Sequence, residues 1–129
     1  MIRTLMKSKI HRVAATQTDI TYNGSITIDR ELAVQADLLE NERVDIYNVN
    51  TGARFSTYVI HGPAGVIGVN GAAARLVQKG DLLIIVSYAQ YTEQECRSHA
   101  PTVVCVQKSL PGKTGHRELL AAAPEPALA

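Results

Sequence analysis

Tyr22-Asn23-Gly24-Ser25 stands between two stretches of alternating apolar and polar residues, Lys9–Ile20 and Ser25–Ile28. Asn and Gly tolerate positive φ, and an Asn-Gly pair between strand-like runs signals a β-hairpin. By composition these four residues form a turn with a solvated serine after it. Gly-Ser also carries a second chemical possibility. A serine hydroxyl can attack the carbonyl of the preceding residue, and glycine obstructs that attack least. A strained turn would present the carbonyl to Oγ.

Outward from this turn the chain reads as short strands. Ile2–Ile20 is rich in β-branched residues and predicts a strand with a bend near Lys7-Ser8. The two-residue period puts Lys9, His11 and Val13 on one face and Ile10, Arg12 and Ala14 on the other. Ser25–Ile28 is a second strand. Asp29 caps a short helix over 30–36 whose Leu32, Ala33 and Ala36 share a face. Arg43–Val49 and Ala53–Ile60 flank Asn50-Thr51-Gly52 and make the clearest hairpin. After the loop Gly62-Pro63-Ala64-Gly65, Val66–Val69 is a very short strand. Asn70–Ala74 opens a helix or turn. Lys79-Gly80-Asp81 is a tight turn. Leu82–Tyr88 is an unbroken apolar run, expected to be a strand buried on both faces. Thr92 and Glu95 have capping-box spacing for a helix that ends before Pro101. Thr102–Lys108 is the last strand, and residues 109–129 read as a flexible tail after a single domain over 1–108. About seven strands with two or three short helices predict a small closed β-barrel.

Composition narrows the function. The 129 residues are 46% hydrophobic and 19% charged, as expected for one globular core. A formal net charge of +1 gives no electrostatic case for nucleic acid or a membrane surface. With no Trp and one Phe, base-stacking platforms are poorly supplied. Cys96 and Cys105 match neither a redox nor a zinc pattern, and Cys105 reads as a core residue, which fits a reducing cytoplasm. The N-terminus has no apolar signal region, and the run Leu82–Val86 is too short to span a bilayer.

The common catalytic signatures are missing. The chain has no glycine-rich phosphate loop, no Gly-x-Ser-x-Gly and no His-Glu-x-x-His, and its four histidines lack metal-ligand spacing. It does carry polar residues that a core strand does not need. Arg54, Ser56 and Tyr58 point one way on the return strand of the hairpin, and Phe55, Thr57 and Val59 the other. Arg54 and Tyr58 therefore suit one concave site, although each is singly accounted for by a solvated or amphipathic strand. The small residues Gly71, Ala72 and Ala73 after Asn70 leave their backbone amides open to a carboxylate, or simply start a helix capped by Asn70.

Taken together, these stretches resemble one family. Ile2-Arg3-Thr4, Lys7-Ser8-Lys9-Ile10-His11-Arg12, Tyr22-Asn23-Gly24-Ser25, Ala36-Asp37-Leu38-Leu39-Glu40, Gly52-Ala53-Arg54-Phe55-Ser56-Thr57-Tyr58, Val69-Asn70-Gly71-Ala72-Ala73-Ala74 and Gly80-Asp81 keep the order and spacing of the aspartate 1-decarboxylases. These are pyruvoyl-dependent enzymes that make β-alanine for pantothenate. The resemblance runs to about Arg97. It implies a mainly β, double-psi β-barrel fold and a homotetramer with active sites between subunits. One departure is the segment His61–Val66, where the family commonly has a longer, charged loop.

The resemblance also implies a chemistry. Ser25 Oγ attacks the Gly24 carbonyl, Thr57 helps hold that carbonyl, and β-elimination leaves a pyruvoyl group at residue 25. The ketone forms a Schiff base with L-aspartate and acts as the electron sink for decarboxylation. Tyr58 is the implied proton donor. Lys9 and Arg54, with Thr57, Asn70, Gly71, Ala72 and Ala73, are the implied substrate contacts, and His11 and Tyr22 second-tier contributors. No metal is implied, and any maturation factor is unknown. Two other readings stay open: a pyruvoyl decarboxylase of another small acidic amino acid such as glutamate, and a non-enzymatic oligomeric barrel.

Overall fold

The computed structural model describes residues 1–106 and 117–120. Among them nine strands form one sheet: β1 (Ile2–Ala14), β2 (Gln17–Asp19), β3 (Ser25–Asp29), β4 (Arg43–Asn48), β5 (Arg54–Gly62), β6 (Ile67–Asn70), β7 (Leu82–Thr92), β8 (Thr102–Cys105) and β9 (Arg117–Leu120). Three short helical pieces interrupt them: α1 (Arg30–Gln35), a 3-10 turn over Gly71–Leu76, and α2 (Glu93–Ser98). The hydrogen-bonded order is β2-β6-β3-β5-β4-β7-β1-β8-β9.

That order contains a closed ring. β1 pairs antiparallel with β7, and two residues later β2 pairs in parallel with β6. β7 and β6 lie at opposite ends of the run β6-β3-β5-β4-β7, so the segment from β1 to β2 bridges both edges. The junction is fixed by Ala15 N donating to Asp81 O (2.9 Å) and Thr16 N to Ile67 O (2.8 Å). Two pairs of consecutive strands are each split by a third. β6 lies between β2 and β3, and β3 lies between β5 and β6. These two interlocked crossings make the fold a double-psi β-barrel.

Ile10, Ile26, Ile28, Ile46, Val59, Ile67, Val69, Leu83 and Ile85 have no solvent exposure and fill the barrel. Each such side chain contributes roughly 1.5–3 kcal/mol by leaving water. The expected strand over Ile2–Ile20 breaks at Ala15-Thr16, and the expected bend is a register shift between Met6 and Ser8. The simple alternation also fails once. Ile10 and Val13 are both fully buried, three residues apart. Arg12, at φ 66°, inserts an extra residue between them and turns the later part of the strand over.

The hairpin β4–β5 follows the sequence reading, with Tyr47 opposite Arg54 and Arg43 opposite Tyr58. Gly52 turns it at φ 81°, and Asn48 Oδ1 accepts from the amides of Asn50 and Thr51. Asp29 Oδ1 caps α1 through Glu31 N. Thr92 and Glu95 form the reciprocal capping box. Cys105 is buried in β8, and among the described residues neither cysteine is in a disulfide.

β7 differs from expectation. It continues to Thr92, and Tyr88 is 45% exposed, so the run from Leu82 is not enclosed on both faces. Within the stretch read as a tail, Arg117–Leu120 pair in parallel with β8. The rest of that stretch, with the end of the expected strand at 107–108, lies outside the described residues.

Ile10→Ala is expected to cost about 2–5 kcal/mol in chemical denaturation, because the ring closes around that side chain. Ile20→Ala, at a side chain that is half exposed, is expected to stay within about 0.5 kcal/mol.

Candidate active site

Two neighbours position the start of β3. On one side Ser25 pairs with Asn70 of β6. On the other, Ile26 pairs in parallel with Val59 of β5. Carried back along the chain, that register sets Ser25 beside Tyr58 and Gly24 beside Thr57. Ile26 and Val59 face the core, so strand alternation turns Ser25, Thr27 and Tyr58 to the outer surface. Ser25 and Asn70 are nonetheless buried there, at 0% and 3% exposure. Asn70 Nδ2 donates to Ser25 Oγ (2.8 Å) and to Thr27 Oγ1 (3.1 Å). One amide thus fixes two hydroxyls, and the expected role of Asn70 as a helix cap is replaced, since its side chain makes no cap bond.

The segment before Ser25 is not a hairpin turn. β6 stands between β2 and β3, so the strands flanking Tyr22–Ser25 never pair with each other. The chain reverses earlier, where Thr21 donates from both its amide and hydroxyl to Asp19 Oδ1 (3.0 and 2.7 Å). These bonds, the hydroxyl's first, hold the Asp19 carboxyl below its usual pKa. Neither Asn23 nor Gly24 adopts positive φ. Gly24 is exposed, with no heavy atom within 4 Å of where a Cβ would stand. Gly71 is buried at φ 71°, Ala72 is exposed and Ala73 half-buried.

Arg54, Ser56 and Tyr58 are exposed on the outer face of β5, as alternation required. Arg54 lies against Tyr47 of β4. Its guanidinium carbon lies 4.4 Å from the centre of the Tyr47 ring, a cation–π contact. The Tyr47 hydroxyl meets that of Tyr88 at 2.8 Å. Tyr47 pairs with Ile84, four residues from Tyr88 along β7. The two phenols therefore reach toward each other along the sheet, above Val86, which is 2% exposed. The bond to Tyr47, then burial, pushes the Tyr88 pKa up to about 12. Next to the pair, Ser56 Oγ donates to Asp45 Oδ1 (2.8 Å) and accepts from Arg43 Nη2 (3.2 Å). A surface cavity of about 360 Å³ opens there, lined in part by Thr4, Arg43, Asp45 and Tyr88.

The structure thus gathers Tyr22, Gly24, Ser25, Thr57, Tyr58, Asn70 and Gly71 around one junction. Arg54 shares the outer face of Ser25 and Tyr58 but stands four residues from Tyr58, about 13 Å at ~3.3 Å per residue. Lys9 and His11 lie on β1, which β7 and β4 separate from β5. Lys9 pairs with Val86 and Val103, and His11 with Cys105. Sequence reasoning missed Thr27, Tyr47 and Tyr88. The outward phase of Tyr47, fixed by its place opposite Arg54 in the hairpin, was the available signal. Among the described residues no group of His, Cys, Asp or Glu is placed to hold a metal ion, and no helix is long and apolar enough to cross a membrane.

Fold and site together define a small double-psi barrel with a Gly-Ser junction at the start of an internal strand. Comparison with known proteins makes the assignment specific. The aspartate decarboxylase family profile matches residues 1–110. The aspartate 1-decarboxylase of Caulobacter vibrioides is 54% identical over 110 residues, covering 84% of this chain and 93% of its own. That of Phenylobacterium zucineum is 57% identical over 106 residues, covering 81% and 90%. That of Pelotomaculum thermopropionicum is 57% identical over 108 residues, covering 82% of each. The chain belongs to the aspartate decarboxylase family.

The Tyr47–Tyr88 bond has a pH signature. A phenol whose folded pKa is raised contributes stability below the unfolded value near 10 that is lost as pH climbs toward 12. Tyrosinate absorbance during an alkaline titration is expected to show Tyr88 ionising late, with Tyr91, raised first by burial, also above the ordinary range. Tyr47→Phe is expected to shift the Tyr88 ionisation to lower pH.

Proposed function

We propose that this chain cuts itself between Gly24 and Ser25 and then removes the α-carboxylate of L-aspartate as CO2, giving β-alanine for pantothenate synthesis. The observation that carries the reading is the junction itself. Gly24 is open to solvent, while the oxygen of the next residue is buried and held by Asn70 Nδ2 at 2.8 Å.

In the cut, Ser25 Oγ adds to the Gly24 carbonyl carbon. The C–N bond breaks, the hydroxyl proton passes to the departing nitrogen, and an ester joins Gly24 to Ser25. Loss of the Ser25 α-proton then expels the Gly24 carboxylate and leaves a dehydroalanine. Water converts its tautomer to a pyruvoyl group and releases ammonia. Thr57, in register beside Gly24, suits support of the carbonyl oxygen as charge builds on it.

The residues around position 25 fit such a group, since Asn70 Nδ2 already donates to an oxygen there and a ketone oxygen is likewise an acceptor. A pyruvoyl group at position 25, held through Asn70 Nδ2, would supply an electron sink for the breaking bond between the substrate Cα and its carboxylate. Tyr58 Oη, on the same outer face, returns a proton to that carbon. Arg54 and Lys9 bind carboxylates, Arg54 in a bidentate fashion. The Gly71, Ala72 and Ala73 amides add donors, and His11 and Tyr22 border the site. With Arg54 four residues from Tyr58 along β5, neighbouring subunits of a homotetramer would complete each site. Two cysteines outside any disulfide accord with a cytoplasmic setting.

Intact mass of the purified protein is expected to show a 24-residue and a 105-residue piece of the 129-residue chain, the larger blocked at its N-terminus. A permanently single chain that is inactive on aspartate would sink the reading. Ser25→Ala is expected to remain whole and inactive. Arg54→Lys is expected to cut normally but raise KM for aspartate by about tenfold or more. A panel including glutamate checks the substrate.

A further inference from the structure

The glycine that the cleavage geometry depends on is not the one at the cut. A methyl group fits freely on Gly24, whose φ lies outside the left-handed region. Gly71 is the opposite case. It holds φ 71°, and a Cβ there would stand 2.7 Å from Gly24 Cα, 2.8 Å from Gly24 N and 3.3 Å from Tyr22 O. All three are main-chain atoms, so no rotamer change relieves the collision. Gly71 also follows Asn70 directly, and Asn70 pairs with Ser25 and holds its Oγ. Two successive residues of β6 and its turn therefore grip the two sides of one peptide bond. Asn70 fixes the attacking oxygen, and Gly71 backs the residue that carries the attacked carbonyl.

We propose that Gly71 is a positioning residue for self-cleavage. By having no side chain it lets the Tyr22–Gly24 backbone lie against it, which sets the Gly24 carbonyl within reach of Ser25 Oγ. This rests on the self-cleavage reading above. A displacement of Gly24 by the width of a methyl group moves the carbonyl off the line of attack. A misplacement of about 1 Å can slow such a step on the order of a hundredfold.

The test follows chain cutting by mass in the full-length protein, so it does not depend on decarboxylase activity. Gly71→Ala is expected to stay whole over a period in which wild type is fully cut. Gly71→Asn separates two causes, because Asn tolerates positive φ while keeping the Cβ; it is expected to stay whole as well. Gly80→Ala is the control for backbone strain alone. Gly80 has φ 96° with nothing near its Cβ position, and this variant is expected to cut like wild type. Hydroxylamine, which opens esters, is expected to release no 24-residue hydroxamate from the Gly71 variants, because their defect precedes the ester. If wild type itself stays whole, the self-cleavage reading fails. If wild type cuts and either Gly71 variant cuts at the same rate, the positioning role fails. It also fails if both Gly71 variants lose a cooperative melting transition, which would make the residue structural, or if they accumulate the ester.

Discussion

Strand β3 hydrogen-bonds to β6 on one side and to β5 on the other, and every group at the Gly24–Ser25 junction takes its place from that double pairing. A strand in the middle of a sheet cannot slide by one residue without sending its apolar face outward. Ile26 and Ile28 are fully enclosed, so the register of β3 is held by the whole barrel core. Ser25 inherits that rigidity as the first residue of the strand. The residue before it belongs to no strand. The junction therefore joins a fixed oxygen to an exposed carbonyl-bearing residue, and the fold creates this asymmetry at one peptide bond.

The second organising feature is the polar outer face of β4, β5 and β7. Arg54 is exposed, yet its stack on Tyr47 limits where the guanidinium can point. Tyr47 is in turn tethered to Tyr88. The tether explains why Val86 is nearly inaccessible although its phase on β7 is outward. An arginine ordered in this way loses less freedom on binding a carboxylate than one in open solvent. Asp45 sits on the same face but is engaged by Ser56.

How far this could be read from the sequence depended on whether the signal was local. The β4–β5 hairpin was legible because Asn50-Thr51-Gly52 and the flanking alternation act within a few residues. Both helix caps were legible for the same reason. The phases of Arg54 and Tyr58 followed from the two-residue period. The psi crossings were not legible, because nothing near Tyr22–Ser25 announces that β6, more than forty residues later, will insert between the flanking strands. The Asn-Gly pair invited a hairpin, and tertiary pairing overrode it. Arg12 was equally hidden, since a bulge formed by a non-glycine residue at positive φ leaves no mark in composition. The Asn70–Ser25 bond depends on that same long-range register. The grouping of Gly24, Ser25, Thr57, Tyr58 and Asn70 came from family resemblance; the pairing supplies its geometry.

The closed ring also bears on what a cut after Gly24 would do to the protein. Residues 1–24 include β1 and β2, which together join the two ends of the run β6-β3-β5-β4-β7. β1 is paired with β7 over nearly its whole length and with β8 beside it. Ile10 and Val13 are buried in the common core. Breaking the bond after Gly24 removes none of these contacts, and the hydrophobic and hydrogen-bonding terms that hold the segment far exceed those of the exposed loop that is severed. The barrel can thus lose the covalent link after Gly24 while keeping its shape. The residue newly placed at a chain end stays flanked by Asn70 and Tyr58. The same interlocking that hid the fold from the sequence would let the chain tolerate such a cut.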